Sequence, residues 1–186
     1  MMRTCPFFLA ACALVLLSGC AWTPQRATLR PVAEVAPSNI GHGINVSVTV
    51  RDERATESLG ARRFKFEAGI VAEQDIALML RKVLEEGLAK QSYRVSPAAA
   101  ARLSVSLKLL DTHSDPLGRW CVSATVVARA EYRKEHYEHE YTSVQRSVRL
   151  FVPTAGDNEE ALSKHLSAVI TAVLNDPEVA RILQGA

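Results

Sequence analysis

The sequence predicts an α+β fold: a single antiparallel sheet of about four to five strands with two main helices packed on one face. The expected order is β-(β)-α-β-β-β-α, a two-layer sandwich. Three observations carry this expectation. "INVSVTV" alternates apolar Ile44, Val46, Val48 and Val50 with polar Asn45, Ser47 and Thr49, the two-residue period of a half-buried strand. Ile76, Met79, Leu80, Val83, Leu84 and Leu88 recur at the spacing of a single helical stripe. Three further alternating segments then succeed one another across short turns, an order that favours an antiparallel meander.

Taken in order, residues 1–19 read as a signal peptide. Arg3 is the one charge before an apolar run from Pro6 to Leu17, long enough for a signal core and short for a membrane span. The run ends Leu17-Ser18-Gly19-Cys20, which looks like a bacterial lipobox: cleavage between Gly19 and Cys20 makes Cys20 the new N-terminus. Small residues at 18 and 19 admit a peptidase, and only a thiol can carry the thioether-linked diacylglycerol. A rival box, Leu9-Ala10-Ala11-Cys12, leaves too short a core after Arg3. Each buried methylene adds about 0.8 kcal/mol, so the diacylglycerol and N-acyl chains on Cys20 would make a lasting anchor. By resemblance to the lipoprotein sorting rule, Ala21 in place of aspartate implies the outer membrane, with the domain facing the periplasm.

Residues 20–42 read as a tether interrupted by Pro24, Pro31 and Pro37, extended at ~3 Å per residue. Residues 43–186 read as one domain. After the first strand, "RRFKFE" suits a short returning strand beyond a loop at Leu59-Gly60. Asp75 falls in the first turn of the helix, where the dipole favours a carboxylate, and Gly87 lies on the buried stripe, where it admits close approach to the sheet. "RLSVSLKLL" turns Leu103, Val105, Leu107 and Leu109 to one face. "RWCVSATVVARAEY" does the same with Trp120, Val122, Ala124, Val126 and Ala128, and "DPLG" supplies the turn between them. "YTSVQRSVRLFV" forms the third strand. Asp157 with Glu160 resembles a capping box ahead of Leu162, Leu166, Val169, Ile170, Val173 and Leu174, and Asp176-Pro177 starts a short last helix.

"DIALMLRKVLEEGLAKQSYRV", Asp75 to Val95, resembles the central helix and following strand of the YajG-type lipoprotein family. The shared residues are Asp75, Leu80, Val83-Leu84-Glu85, Tyr93 and Val95. Lipobox, proline-containing tether, leading strand, meander and C-terminal helix also follow in the same order. The resemblance implies an envelope lipoprotein of this fold, of uncharacterised molecular function and without known catalytic residues.

The net charge of +2 over 186 residues gives no reason to expect nucleic acid. Cys5 and Cys12 leave with the signal, so Cys121 is a lone thiol, with no C-x-x-C to suggest redox work. "EHYEHEY" is the most suggestive cluster. On a strand His136, Glu138 and Glu140 share one face, a nitrogen and oxygen set suited to Zn²⁺ or Cu²⁺, while His139 points the other way. A solvated edge of mixed charge explains the same residues. "HEYTS" is no zinc-protease motif, because Ser143 stands where the second histidine belongs, and no G-x-S-x-G occurs. His113 with Asp111 and Asp115 reads as a polar turn with a weak claim to general-base work. Arg62, Arg63 and Lys65 could meet lipopolysaccharide phosphates or an acidic partner, or form a solvated basic edge.

The expectation is therefore a non-catalytic envelope module that binds a protein partner or polymer, with no cofactor beyond the covalent lipid. The alternative is a metal-assisted hydrolase or metal-binding protein built on His136, Glu138 and His139. It requires those side chains to converge.

Overall fold

The computed structural model describes residues 24–61, 69–115, 117–148 and 153–185. Its strands are β1 (Gln25–Ala27), β2 (Asn45–Asp52), β3 (Ser58–Ala61), β4 (Gly69–Ala72), β5 (Arg94–Val95), β6 (Ala101–Ser114), β7 (Arg119–Tyr132) and β8 (Glu135–Val148). Among the described residues three helices accompany them: α1 (Ile76–Lys90), α2 (Ala155–Asn175) and α3 (Pro177–Gln184).

The sheet corrects the expected antiparallel one of four to five strands. Among the described residues it has eight strands, is mixed, and curls into a half-barrel around the helices. β6, β7 and β8 form an antiparallel meander. On the other edge of β6, however, β2 runs parallel beside residues 101–107, and β3 runs parallel at Gly60↔Thr112. β5 adds parallel to β2, β4 antiparallel to β3, and β1 parallel to β4. The physical reason lies in α1. A strand followed by a crossover helix returns in the same direction, so β2 cannot meet β6 as a hairpin would. The four extra strands are two to four residues long, too short for any period to show in sequence.

Three details differ from the periodicity. A bulge between Leu107 and Leu109 adds one residue to β6 and flips its phase. Leu109 therefore faces out at 43% exposure, and Leu110 takes the core position. The capping box of α2 is Thr154 with Asp157, each side chain bonding the other's backbone N–H, rather than Asp157 with Glu160. Gly87 does admit a close approach, but to Leu174 of α2 and Ala33 rather than to the sheet. Asp75 caps α1 by accepting from the Leu78 N–H at 3.0 Å.

The largest departure concerns residues 25–38, which had read as tether. Gln25, Ala27, Leu29, Pro31, Ala33 and Val35 are all buried, alternating with exposed or half-buried neighbours. The segment lies along α2 as a strap. The N–H groups of Thr28, Arg30, Val32 and Glu34 donate to the side chains of Glu159, Ser163, Ser167 and Thr171 at 3.2, 2.9, 2.9 and 3.0 Å. The match is metrical: two extended residues advance about 6.6 Å, and four helical residues about 6.0 Å. Successive rungs therefore stay in step. Gln74 Nε2 and Lys90 Nζ donate to the carbonyls of Leu29 and Ala33 from the α1 side.

Gly60 sits at φ +116°, with its Cα against the backbone of Thr112, where any Cβ would collide. Cys20 and Gly19, and all of "RRFKFE" with Arg62, Arg63 and Lys65, lie outside the described residues.

Candidate functional site

β8 carries the chemistry singled out from sequence. Its fourteen residues pair with β7 from Arg119↔Val148 to Tyr132↔Glu135 without a break in register, and among the described residues nothing pairs with its other edge. Because Val126, Ala128 and Ala130 of β7 are buried under the helices, their partners Tyr141, His139 and Tyr137 turn to that face too. His136, Glu138, Glu140, Val144 and Arg146 take the opposite, open face.

This parity separates the candidate ligands. His139 is sandwiched by its own strand neighbours, stacked on Tyr137 at 6.0 Å and edge-on to Tyr141 at 4.8 Å. Glu138 instead lies 3.8 Å from Arg129 of β7 on the open face. Among the described residues no three His, Cys, Asp or Glu side chains are placed to hold a metal ion. His136, Glu138 and His139 do not form one cleft.

The helix side of β8 holds a polar network that sequence reading missed. Tyr141 and Tyr137 donate to Asp176 Oδ2 at 2.5 and 3.2 Å. Asp176 Oδ1 meanwhile caps α3 through the Glu178 N–H at 2.8 Å. Burial pulls the Asp176 carboxyl up, but the two phenols and the cap amides outweigh it and hold it below its ordinary value. Burial first, and then the Asp176 charge, push the Tyr141 phenol above its usual range. One carboxylate thus pins the α2–α3 junction to the last strand. Nearer the other end, Ser143 Oγ lies 2.7 Å from His165 Nδ1 of α2. His165 is 5% exposed, its Nε2 has no hydrogen-bond partner among the described residues, and burial lowers its pKa. A serine and histidine at this distance resemble a catalytic dyad. The pair lies between α2 and β8, and among the described residues no third group orients the ring, so its geometry is that of a packing contact.

The sheet's open face ends in a cleft of about 480 Å³ lined by His113, Arg119, Trp120, Cys121 and Arg146 among others. The His113 ring bonds Asp111 at 2.9 Å, and Arg119 bonds Asp115 at 2.5 Å. Trp120 donates to Thr112 Oγ1 across the hairpin at 2.7 Å. Cys121 is a half-buried free thiol. Asp115 holds the turn, accepting the Leu117 and Arg119 N–H groups as well, while His113 and Asp111 pair with each other along β6.

A family model described as uncharacterized lipoprotein matches residues 31–184. The chain belongs to that lipoprotein family. No curated protein matches it. The lipoprotein is similar in fold to a Xanthomonas campestris protein of the DUF330 family, at TM-score 0.60 and 11% identity, over 88% of this chain and 96% of that one. A solved structure of an uncharacterized protein follows at TM-score 0.55 and 10% identity, over 82% and 97%. A minor lipoprotein from Acinetobacter baumannii aligns at TM-score 0.42 and 11% identity, over 77% and 92%. Among its described residues the lipoprotein has no helix long and apolar enough to cross a membrane. Membership makes it an envelope-associated protein.

Proposed function

We propose that this chain is a lipid-anchored module of the YajG type, held at the outer membrane through acyl chains on Cys20 with its domain in the periplasm. Its role is non-catalytic: it binds an envelope protein or polymer as an accessory subunit. Lipoprotein family membership carries this reading, and the Leu-Ser-Gly-Cys sequence ahead of Ala21 supports the site of attachment and its destination. The divergence of His139 from His136 and Glu138 leaves the metal-assisted hydrolase without a convergent ligand set. The open sheet face, with its polar and charged side chains and a shallow cleft, suits a binding surface better than a reaction chamber.

Crosslinking in cells at native expression, followed by mild-detergent purification and mass spectrometry, tests the role. A reproducible stoichiometric partner that disappears with Cys20→Ala supports it, and recovery of the chain alone counts against it. Metabolic labelling with an alkynyl fatty acid tests the anchor separately, since Cys20→Ala abolishes incorporation.

A further inference from the structure

The open edge of β8 is unusual for its length. Fourteen residues of strand expose their outer N–H and C=O groups, with no bulge and no proline to blunt them. The open-face side chains along this edge also carry a pattern that charge alone does not explain. Val144 and Val148 stand 50% and 74% exposed, and Arg146 between them has no carboxylate partner among the described residues. The glutamates, Glu138 and Glu140, lie toward the other end.

We propose that β8 pairs antiparallel with β8 of a second copy of this chain, about a two-fold axis through Thr142. Each residue then faces the one equally far beyond the axis. Glu138 faces Arg146 of the second copy, and by symmetry this pair occurs twice. Glu140 faces Val144, and His136 faces Val148, so both exposed valines gain cover. On the helix side Tyr137 faces Ser147, His139 faces Gln145 and Tyr141 faces Ser143. Opposite charges directly across an antiparallel ladder attract, and like charges repel.

Competing registers lose one of these features. An axis through Glu140 sets that carboxylate against its own copy, and in-register parallel pairing stacks Glu138 on Glu138. An axis through Ser143 still brings Glu140 to Arg146, but shortens the ladder. The Thr142 axis uses His136 to Val148 in full. The self-pairing does not depend on the lipid or on the accessory role, and it joins two half-barrels through one continuous sheet.

The full-length lipidated chain in mild detergent provides the test, by sedimentation velocity across a concentration series. The wild type sediments as a dimer. Arg146→Glu weakens association roughly tenfold, by replacing two attractions with two repulsions. Adding Glu138→Lys to it restores association, and circular dichroism melts confirm that each variant is folded. Independently, Thr142→Cys in a Cys121→Ser background forms a disulfide-linked dimer on mild oxidation in cells, because residues on the axis face one another across the ladder. Thr49→Cys, on the same face but away from the edge, does not. A monomer at high concentration, a dimer indifferent to both charges, a larger ring, or an edge occupied by a different protein would each overturn the proposal.

Discussion

β7 and β8 are equal in length and paired residue for residue, yet they have almost opposite compositions. β7, "RWCVSATVVARAEY", has a neighbour on both edges and buries Trp120, Val122, Ala124, Val126, Ala128 and Ala130, all at 3% exposure or less. β8, "EHYEHEYTSVQRSV", buries only Tyr141 to a similar class. Even on the open face the contrast persists: Ser123 and Thr125 of β7 are 8% and 9% exposed, screened by side chains of both flanking strands. The two strands share length and an unbroken register, and they bond to each other. Position in the sheet, rather than strand geometry, decides which residues each tolerates.

That contrast can be broken from the β7 side with the largest effect. Val126→Asp places a carboxylate at a fully buried position with no cation to meet it, and costs about 3–5 kcal/mol or prevents folding. Glu140→Lys on β8, facing Val127, changes stability by less than about 0.5 kcal/mol. Urea titrations of both variants measure the gap, and comparable losses would refute the distinction.

The next effect sharpens the exception. Tyr141 is the β8 residue that behaves like β7, and Tyr141→Phe removes its bond to Asp176, costing about 1–2 kcal/mol. The same network sets a pH range. Asp176 is lowered in the fold, so its contribution is present above the unfolded carboxylate value and fades as pH falls through the folded one. Tyr141 is raised, so its contribution is complete below the unfolded phenol value near 10 and fades as pH climbs above it. Thermal melts should therefore show acid and alkaline losses, both diminished in Tyr141→Phe.

A smaller loss belongs to His165. Its folded pKa is depressed by burial, so stability is full above the ordinary imidazole value of 6.5 and declines as pH drops below it. His165→Gln should flatten the melting temperature between pH 7 and 5. An unchanged slope would remove His165 from the account. The smallest effect is Val144→Thr, half-exposed and within about 0.5 kcal/mol on folding.

How much of this was legible follows from where the physical signal lay. The alternation in "INVSVTV" and in β7, and the stripes of α1 and α2, are local patterns that burial then reproduced. The parallel pairing of β2 with β6 is set by a crossover, which no period encodes. The Leu107–Leu109 bulge costs one residue of phase and leaves no mark in composition. The strap has a pattern of its own: Ala27, Leu29, Pro31, Ala33 and Val35 alternate like a strand, and Ser163, Ser167 and Thr171 recur every fourth residue on the helix beneath it. Pro24, Pro31 and Pro37 fit an extended tether just as well, so the sequence does not separate the two. Of the candidate site residues, the separation of His136 and Glu138 from His139 followed from strand parity alone. The Tyr141–Asp176 and Ser143–His165 contacts join residues more than twenty positions apart, and only the packed structure reveals them.

The strap also sets a leash. Were Cys20 lipidated as proposed, four residues would lie between it and Gln25, the first residue of β1, a reach of at most about 17 Å. So anchored, the body would patrol a thin layer at the membrane rather than the depth of the compartment. Any partner embedded in or resting on the same leaflet would then meet it at high effective concentration, while one fixed across the gap would need its own reach.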